Sequence, residues 1–172
     1  MSKENEIEFV VTVPEKISTE VCIETDARQT TAVLIDIFIS AKKYVILSSP
    51  FLQNFKIVNP NLEEAIKNAL GRGVEMIIIS TGNSLSTSDI KKLGNNIKVY
   101  QPIDNVENNK ILGSHAKFCL SDGEIVYIGS ANITELGLGK HIEMGILGKK
   151  ELAKKVEKFW NYLSKRGFLV EC

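Results

Sequence analysis

Two short apolar runs constrain this chain more than any other feature. Tyr44 to Ser48 reads YVILS, and Val74 to Ile79 reads VEMIII. Such runs are too short for buried helices and read as strands covered on both faces. Ser49-Pro50 ends the first, and Gly71-Arg72-Gly73 precedes the second. Between them, Asn61 with Glu64 three positions on forms a capping box in its Asn form, opening a helix that runs to Leu70. Upstream, Ile7 to Val13 is a β-rich run closed by Pro14. A helix capped by Thr25 then carries Val33, Leu34, Ile37, Phe38 and Ala41 at helical spacing. Downstream, Thr87 or Ser88 caps a short helix ending near Gly94, and Ile97 to Tyr100 is a third strand. Strands alternate with helices, which predicts an α/β fold: a mixed, mostly parallel β-sheet flanked by helices on both faces.

The second half has a different rhythm. Gln101 to Gly113 is polar, rich in Asn, and reads as a loop. Two strands follow, His115 to Leu120 and Glu124 to Ile128, joined by Ser121-Asp122-Gly123. Asp-Gly is the strongest short hairpin signal. Glu143 to Leu147 is the last predicted strand. A final helix begins near Lys149 and places Leu152, Val156, Phe159, Trp160 and Leu163 on one face. Lys149, Lys150, Lys154, Lys155 and Lys158 form its solvated side. No repeat or linker divides the 172 residues, so the expectation is a single domain over 1–172.

Composition removes several function classes. Lys plus Arg and Asp plus Glu are both 21, so the net charge is zero and a broad basic surface is excluded. No stretch approaches the roughly 18 apolar residues of a membrane span. The polar start, MSKENEIEF, is unlike a secretory signal. Cys22, Cys119 and Cys172 are odd in number and lack metal-ligand spacing. With only two histidines in the chain, no zinc site or other cofactor is expected. Three unpaired thiols fit a reducing compartment, hence a cytoplasmic protein.

The residues with chemistry concentrate between Ser114 and Leu147. His115 and Lys117 are two apart on a predicted strand and share a face. If Asp122 and Gly123 are the two central turn residues, cross-strand partners sum to 245 and His115 lies opposite Ser130. Gly129 has no side chain and would admit a ligand close to the backbone. Asn132 follows two positions after Ser130. An imidazole, an ammonium, a hydroxyl and an amide at one point suit a phosphate.

HxK, four residues, D, six residues, GSxN is the HKD signature of the phospholipase D superfamily, and His115 to Asn132 matches it throughout. Glu143 stands where that family often has an acidic residue, and SSPFL at 48–52 adds to the likeness. In size the chain resembles the single-motif nuclease branch. FVVTVPE near the start resembles small members of defence loci, which implies a place in a larger defence or repair complex. The resemblance implies metal-independent phosphodiester hydrolysis through a phosphohistidine, with two histidines from two motifs. His141 is followed by Ile142-Glu143 and is no second motif. One chain therefore lacks the second histidine, and a homodimer sharing one site is expected. The resemblance makes His115 the nucleophile or acid/base. It assigns Lys117 and Asn132 to the phosphate, Ser130 to the phosphate or to positioning His115, and Glu143 to orienting the imidazole; Ser130 could equally cap the following turn. Asp122 is either catalytic or simply what a tight turn wants. Cys119, on the same face by alternation, is expected to pack. Lys56, Lys110, Lys117 and Lys140 would supply a local basic cleft for nucleic acid. The alternatives are a phospholipase or phosphatidyl hydrolase, and a nucleic-acid-binding module.

Overall fold

The computed structural model describes residues 7–81, 86–103 and 113–172. Its strands are β1 (Glu8–Thr12), β2 (Arg28–Gln29), β3 (Tyr44–Ser48), β4 (Glu75–Ile79), β5 (Ile97–Pro102), β6 (Phe118–Ser121), β7 (Ile125–Gly129), β8 (Glu143–Lys149) and β9 (Leu169–Glu171). They form one sheet in the order β2-β1-β8-β7-β6-β3-β4-β5-β9. Its helices are α1 (Glu15–Thr25), α2 (Thr30–Ser40), α3 (Phe55–Val58), α4 (Pro60–Gly71), α5 (Thr87–Leu93), α6 (Glu135–Gly139) and α7 (Glu151–Lys165).

The mixed sheet and its helical cover are as the sequence predicts, but the balance of pairings differs. Three neighbouring pairs are parallel, β1 with β2, β3 with β4, and β4 with β5. The other five are antiparallel. The cause lies in the second half. β6 and β7 are joined by a tight turn, which permits only antiparallel pairing, and β8 returns antiparallel beside β7.

β3 explains its unbroken apolar run. Val45 and Leu47 face one layer, with Val33, Leu34, Ile37 and Phe38 of α2 and Leu62, Ile66 and Ala69 of α4. Ile46 faces the other layer, with Ala153 and Trp160 of α7 and with Phe118 and Leu120 of β6. Phe118 and Trp160 stack there with centroids 5.1 Å apart. Arg72 ties the first layer together at its end. Its guanidinium donates to the carbonyls of Phe38, Ile39 and Ala41, at the end of α2 where helical carbonyls lack partners within the helix.

Several local readings change. Thr25 is the last residue of α1, not a cap of α2, and its hydroxyl donates to Val21 O. Gln29 precedes α2 instead. Asn59, not Asn61, caps α4: its side chain accepts the Leu62 N–H, and Pro60 takes the first turn, where no donor is missed. Ser86 caps α5, one position before the predicted Thr87. α1, β2, α3, α6 and β9 are additions to the predicted elements: all but α1 are too brief to show a period, and α1 buries only Ser18. The predicted loop over 101–113 lies largely outside the described residues.

The hairpin register is shifted by one. Both Asp122 and Gly123 have positive φ, and Glu124 N–H closes the turn onto Ser121 O at 2.9 Å. Ser121 then pairs with Ile125, so partners sum to 246. Gly129 comes opposite Lys117, its N–H donating to Lys117 O at 3.1 Å. His115 precedes β6 and is not the cross-strand partner of Ser130.

Candidate active site

The candidate site lies at one end of the sheet, where β6 begins, β7 ends and β8 begins. Lys117 is the buried member, 8% exposed, while His115 and Ser130 are exposed. The Lys117 Nζ lies 3.0 Å from His115 Nδ1 and 3.0 Å from His115 O. Burial depresses the Lys117 pKa, and the Glu143 carboxylate nearby opposes that shift.

Glu143 opens β8 and faces the same cluster. Its Oε2 accepts a hydrogen bond from Ser130 Oγ, and the same Oγ accepts the Met144 N–H at 3.2 Å. His141 Nδ1 lies 3.7 Å from Glu143 Oε1. The carboxylate therefore holds Ser130, where the resemblance gave it His115. Asn132 sits between buried Ala131 and Ile133. Ser49 Oγ is 3.4 Å from Asn132 Oδ1 and accepts the Ile133 N–H at 3.2 Å. Gln53 N–H donates to Ile133 O at 2.9 Å, stapling this turn to the segment after β3. The Ser49 hydroxyl proton goes to Phe51 O at 2.7 Å, so Ser49 shapes the turn at Asn132 as an acceptor, a role that only the SSPFL segment signals.

Gly129 is glycine for a reason other than ligand approach. A Cβ there would stand 2.1 Å from the Tyr127 hydroxyl, and one on its partner Gly145 would stand 2.5 Å from Tyr127 Cε2. The tyrosine lies over both glycines beneath the site, and burial pushes its pKa up to about 12. Gly145 is also hemmed by Ile128 O at 2.7 Å. Gly145→Val should therefore lower stability by about 3 kcal/mol or more, as overpacking against backbone does. A urea melt with an unchanged m-value and a lowered midpoint would show it.

The structure does not bring Asp122 to the others. It lies at the far end of β6, where its carboxylate accepts the N–H groups of Lys42, Lys43 and Tyr44 at 2.8, 2.9 and 3.0 Å. Cys119 is fully buried in the core, as alternation predicts, and burial raises its thiol pKa. The predicted basic cleft is thinner than expected. Lys140 pairs with Glu135 at 2.7 Å, Lys56 sits on α3, and Lys110 lies outside the described residues.

Beside His115 runs an apolar groove of about 420 Å³, walled by Phe118, Ile128, Val156, Phe159 and Trp160 with Lys155. Among the described residues, the sheet beside it is left partly uncovered. Phe9 and Ile128 both flank Ile146 on the face that α7 covers only in part. On or beside that face, Phe9 is 40%, Phe159 55%, Met144 61% and Ile142 78% exposed.

One donor-rich end of a sheet now holds an imidazole, a buried ammonium, a hydroxyl, an amide and a carboxylate. That set defines a site able to grip an oxyanion and offer it a nucleophile. The chain belongs to the phospholipase D superfamily: the family described as cardiolipin synthase, PLD-like domain, matches residues 34–165. No curated protein matches the chain. Among solved structures it is similar to NucT from Helicobacter pylori, at 18% identity over 93% of this chain and 97% of that one, with a TM-score of 0.67. It is similar to Nuc from Salmonella typhimurium, a phospholipase D family member, at 18% identity over 98% and 99% of the two chains, TM-score 0.62. Phosphatidylserine synthase from Haemophilus influenzae matches all of this chain over 41% of its own length, at 13% identity and TM-score 0.69. These likenesses are of fold. No helix among the described residues is long and apolar enough to cross a membrane.

Proposed function

We propose that this chain is a metal-independent phosphodiesterase, a nuclease that hydrolyses DNA or RNA in a site shared by two copies. The observation that carries the reading is what one sheet end holds: His115 beside Lys117, Glu143 bonded to Ser130 and acting on the Lys117 charge, and Asn132 on the turn just after β7. His115 attacks phosphorus through Nε2 and the bond to the leaving oxygen breaks. That oxygen takes a proton from His115 of the partner subunit. The same imidazole then takes a proton from water, whose oxygen attacks phosphorus and releases the first histidine. Lys117 and the Asn132 amide hold the non-bridging oxygens. Two histidines in opposite protonation states give a bell-shaped pH–rate profile.

The apolar face supports the dimer. An exposed strip running from Phe9 and Met144 to the groove beside His115 exceeds the scattered apolar residues of an ordinary surface. A second copy seated there would carry its own His115 toward the first. Met144→Lys puts a charge in the strip. It should yield a particle near 19.1 kDa by light scattering where the parent gives twice that mass, with cleavage lost in step.

The same groove favours the lipid alternative, since an acyl chain is also apolar. Labelled single-stranded DNA, double-stranded DNA, RNA and phosphatidylglycerol vesicles, each incubated in excess chelator, separate the readings. Cleavage of an oligonucleotide without head-group release supports the nuclease. Release of head group alone moves the substrate to lipid. Salt-sensitive binding without cleavage leaves a binding module.

A further inference from the structure

His115 is held in an unusual way. A lysine ammonium has only donors, so while Lys117 is charged the 3.0 Å contact of its Nζ makes His115 Nδ1 the acceptor. A neutral imidazole has one acceptor nitrogen and one N–H, so the proton sits on Nε2. The nitrogen that must attack phosphorus is then the one without a lone pair, while the lone pair at Nδ1 is occupied by Lys117. A second bond, to His115 O at 3.0 Å, anchors the ammonium in this position. Glu143, which could accept an Nδ1–H, holds Ser130 instead and lies near His141.

We infer that Lys117 keeps the resting His115 in a non-nucleophilic tautomer, and that substrate phosphate, by drawing Lys117 away, resets it. The inference rests on the proposed role of His115 as nucleophile. A phosphate oxygen that accepts from Nζ competes directly with Nδ1 for the same donor. Once released, Nδ1 takes up a proton from water and Nε2 gives one back, so the imidazole stays neutral and no net proton moves. His115 is exposed, so water reaches the imidazole. Lys117 thereby acts twice, as an oxyanion ligand and as the positioning residue that arms the nucleophile only when a phosphate is present.

Long-range proton–nitrogen correlation spectra of the full chain labelled at histidine read the tautomer directly. Only His115 and His141 contribute, and a His141→Asn variant assigns them. At about pH 8, above the ordinary imidazole range, the free protein should show His115 with its proton on Nε2. Saturating inorganic phosphate should move at least half of that signal to the Nδ1–H form, because two protomers share one phosphate. Lys117→Met should lose the Nε2–H preference and the response to phosphate together. The parent spectra alone decide the matter if that variant misfolds. Nδ1–H in the free protein overturns the inference. So does an unchanged tautomer while the Ser130 and Asn132 amides shift, an outcome that leaves the phosphate site standing. Phosphate that perturbs none of these residues overturns both the inference and the phosphate site.

Discussion

His115→Ala should lower phosphodiester cleavage in excess chelator by about 10⁴-fold or more, because removing the nucleophile leaves only the binding contacts. The loss should come without a stability change. His115 is exposed and belongs to neither apolar cluster of the core, whereas Phe118 and Cys119 just after it are buried there. Thermal midpoints of variant and parent should agree within about 1 °C, since surface substitutions stay within roughly 0.5 kcal/mol. Oligonucleotide binding should persist, weakened only modestly, because Lys117 and Asn132 remain. A His115 variant that still cleaves at about a tenth of the parental rate would remove the histidine from the chemistry.

Asp122→Ala should do the reverse. The carboxylate accepts three backbone N–H groups at the start of β3, and Asp122 N–H donates to Tyr44 O at 3.2 Å. Alanine leaves those three donors without their charged partner, a loss of about 3 kcal/mol. For a chain of this length that lowers the thermal midpoint by roughly 6–12 °C. The turn adds to the cost, because Asp122 has a φ of 53° and aspartate tolerates the left-handed region better than alanine. The turnover number, measured well below the midpoint, should match the parent. Asp122→Asn should recover part of the stability, since one amide oxygen still accepts. A fall in turnover at full folding would return Asp122 to the active site and contradict its place at the far end of β6. The contrast between His115 and Asp122 separates two members of one signature by what each is for.

Much of the site was legible because its chemistry is local. His115, Lys117, Ser130 and Asn132 stand within eighteen positions, and Glu143 opens the next strand. The central strands were legible because β3 is buried on both faces, which writes an unbroken apolar run. What failed depended on one residue of register. Asp-Gly signals a two-residue turn, yet Glu124 joined the loop and Ile125 took its place opposite Ser121. That single step moved His115 away from Ser130 and put Gly129 opposite Lys117. The role of Gly129 was also hidden, because it depends on Tyr127 reaching across to lie over Gly145 as well. Glu143 opens the strand beside the motif, as its spacing predicts, but its bond to Ser130 is a matter of side-chain geometry that no spacing encodes. The shortfall in parallel pairs has a related origin: the order of elements shows which strands follow one another, while a tight turn decides their direction.

Covalent bonding of His115 to phosphorus is the step on which the proposed chemistry stands. The most direct test is mass spectrometry of the chain caught during turnover. A labelled oligonucleotide in excess chelator would be mixed with the protein, quenched in alkali to preserve an N–P bond, and the peptides mapped. A nucleotide adduct should appear on the peptide containing His115, and none on the peptide containing His141. Cleavage that proceeds with no adduct on His115, or that stops when chelator is added, would contradict the phosphohistidine mechanism.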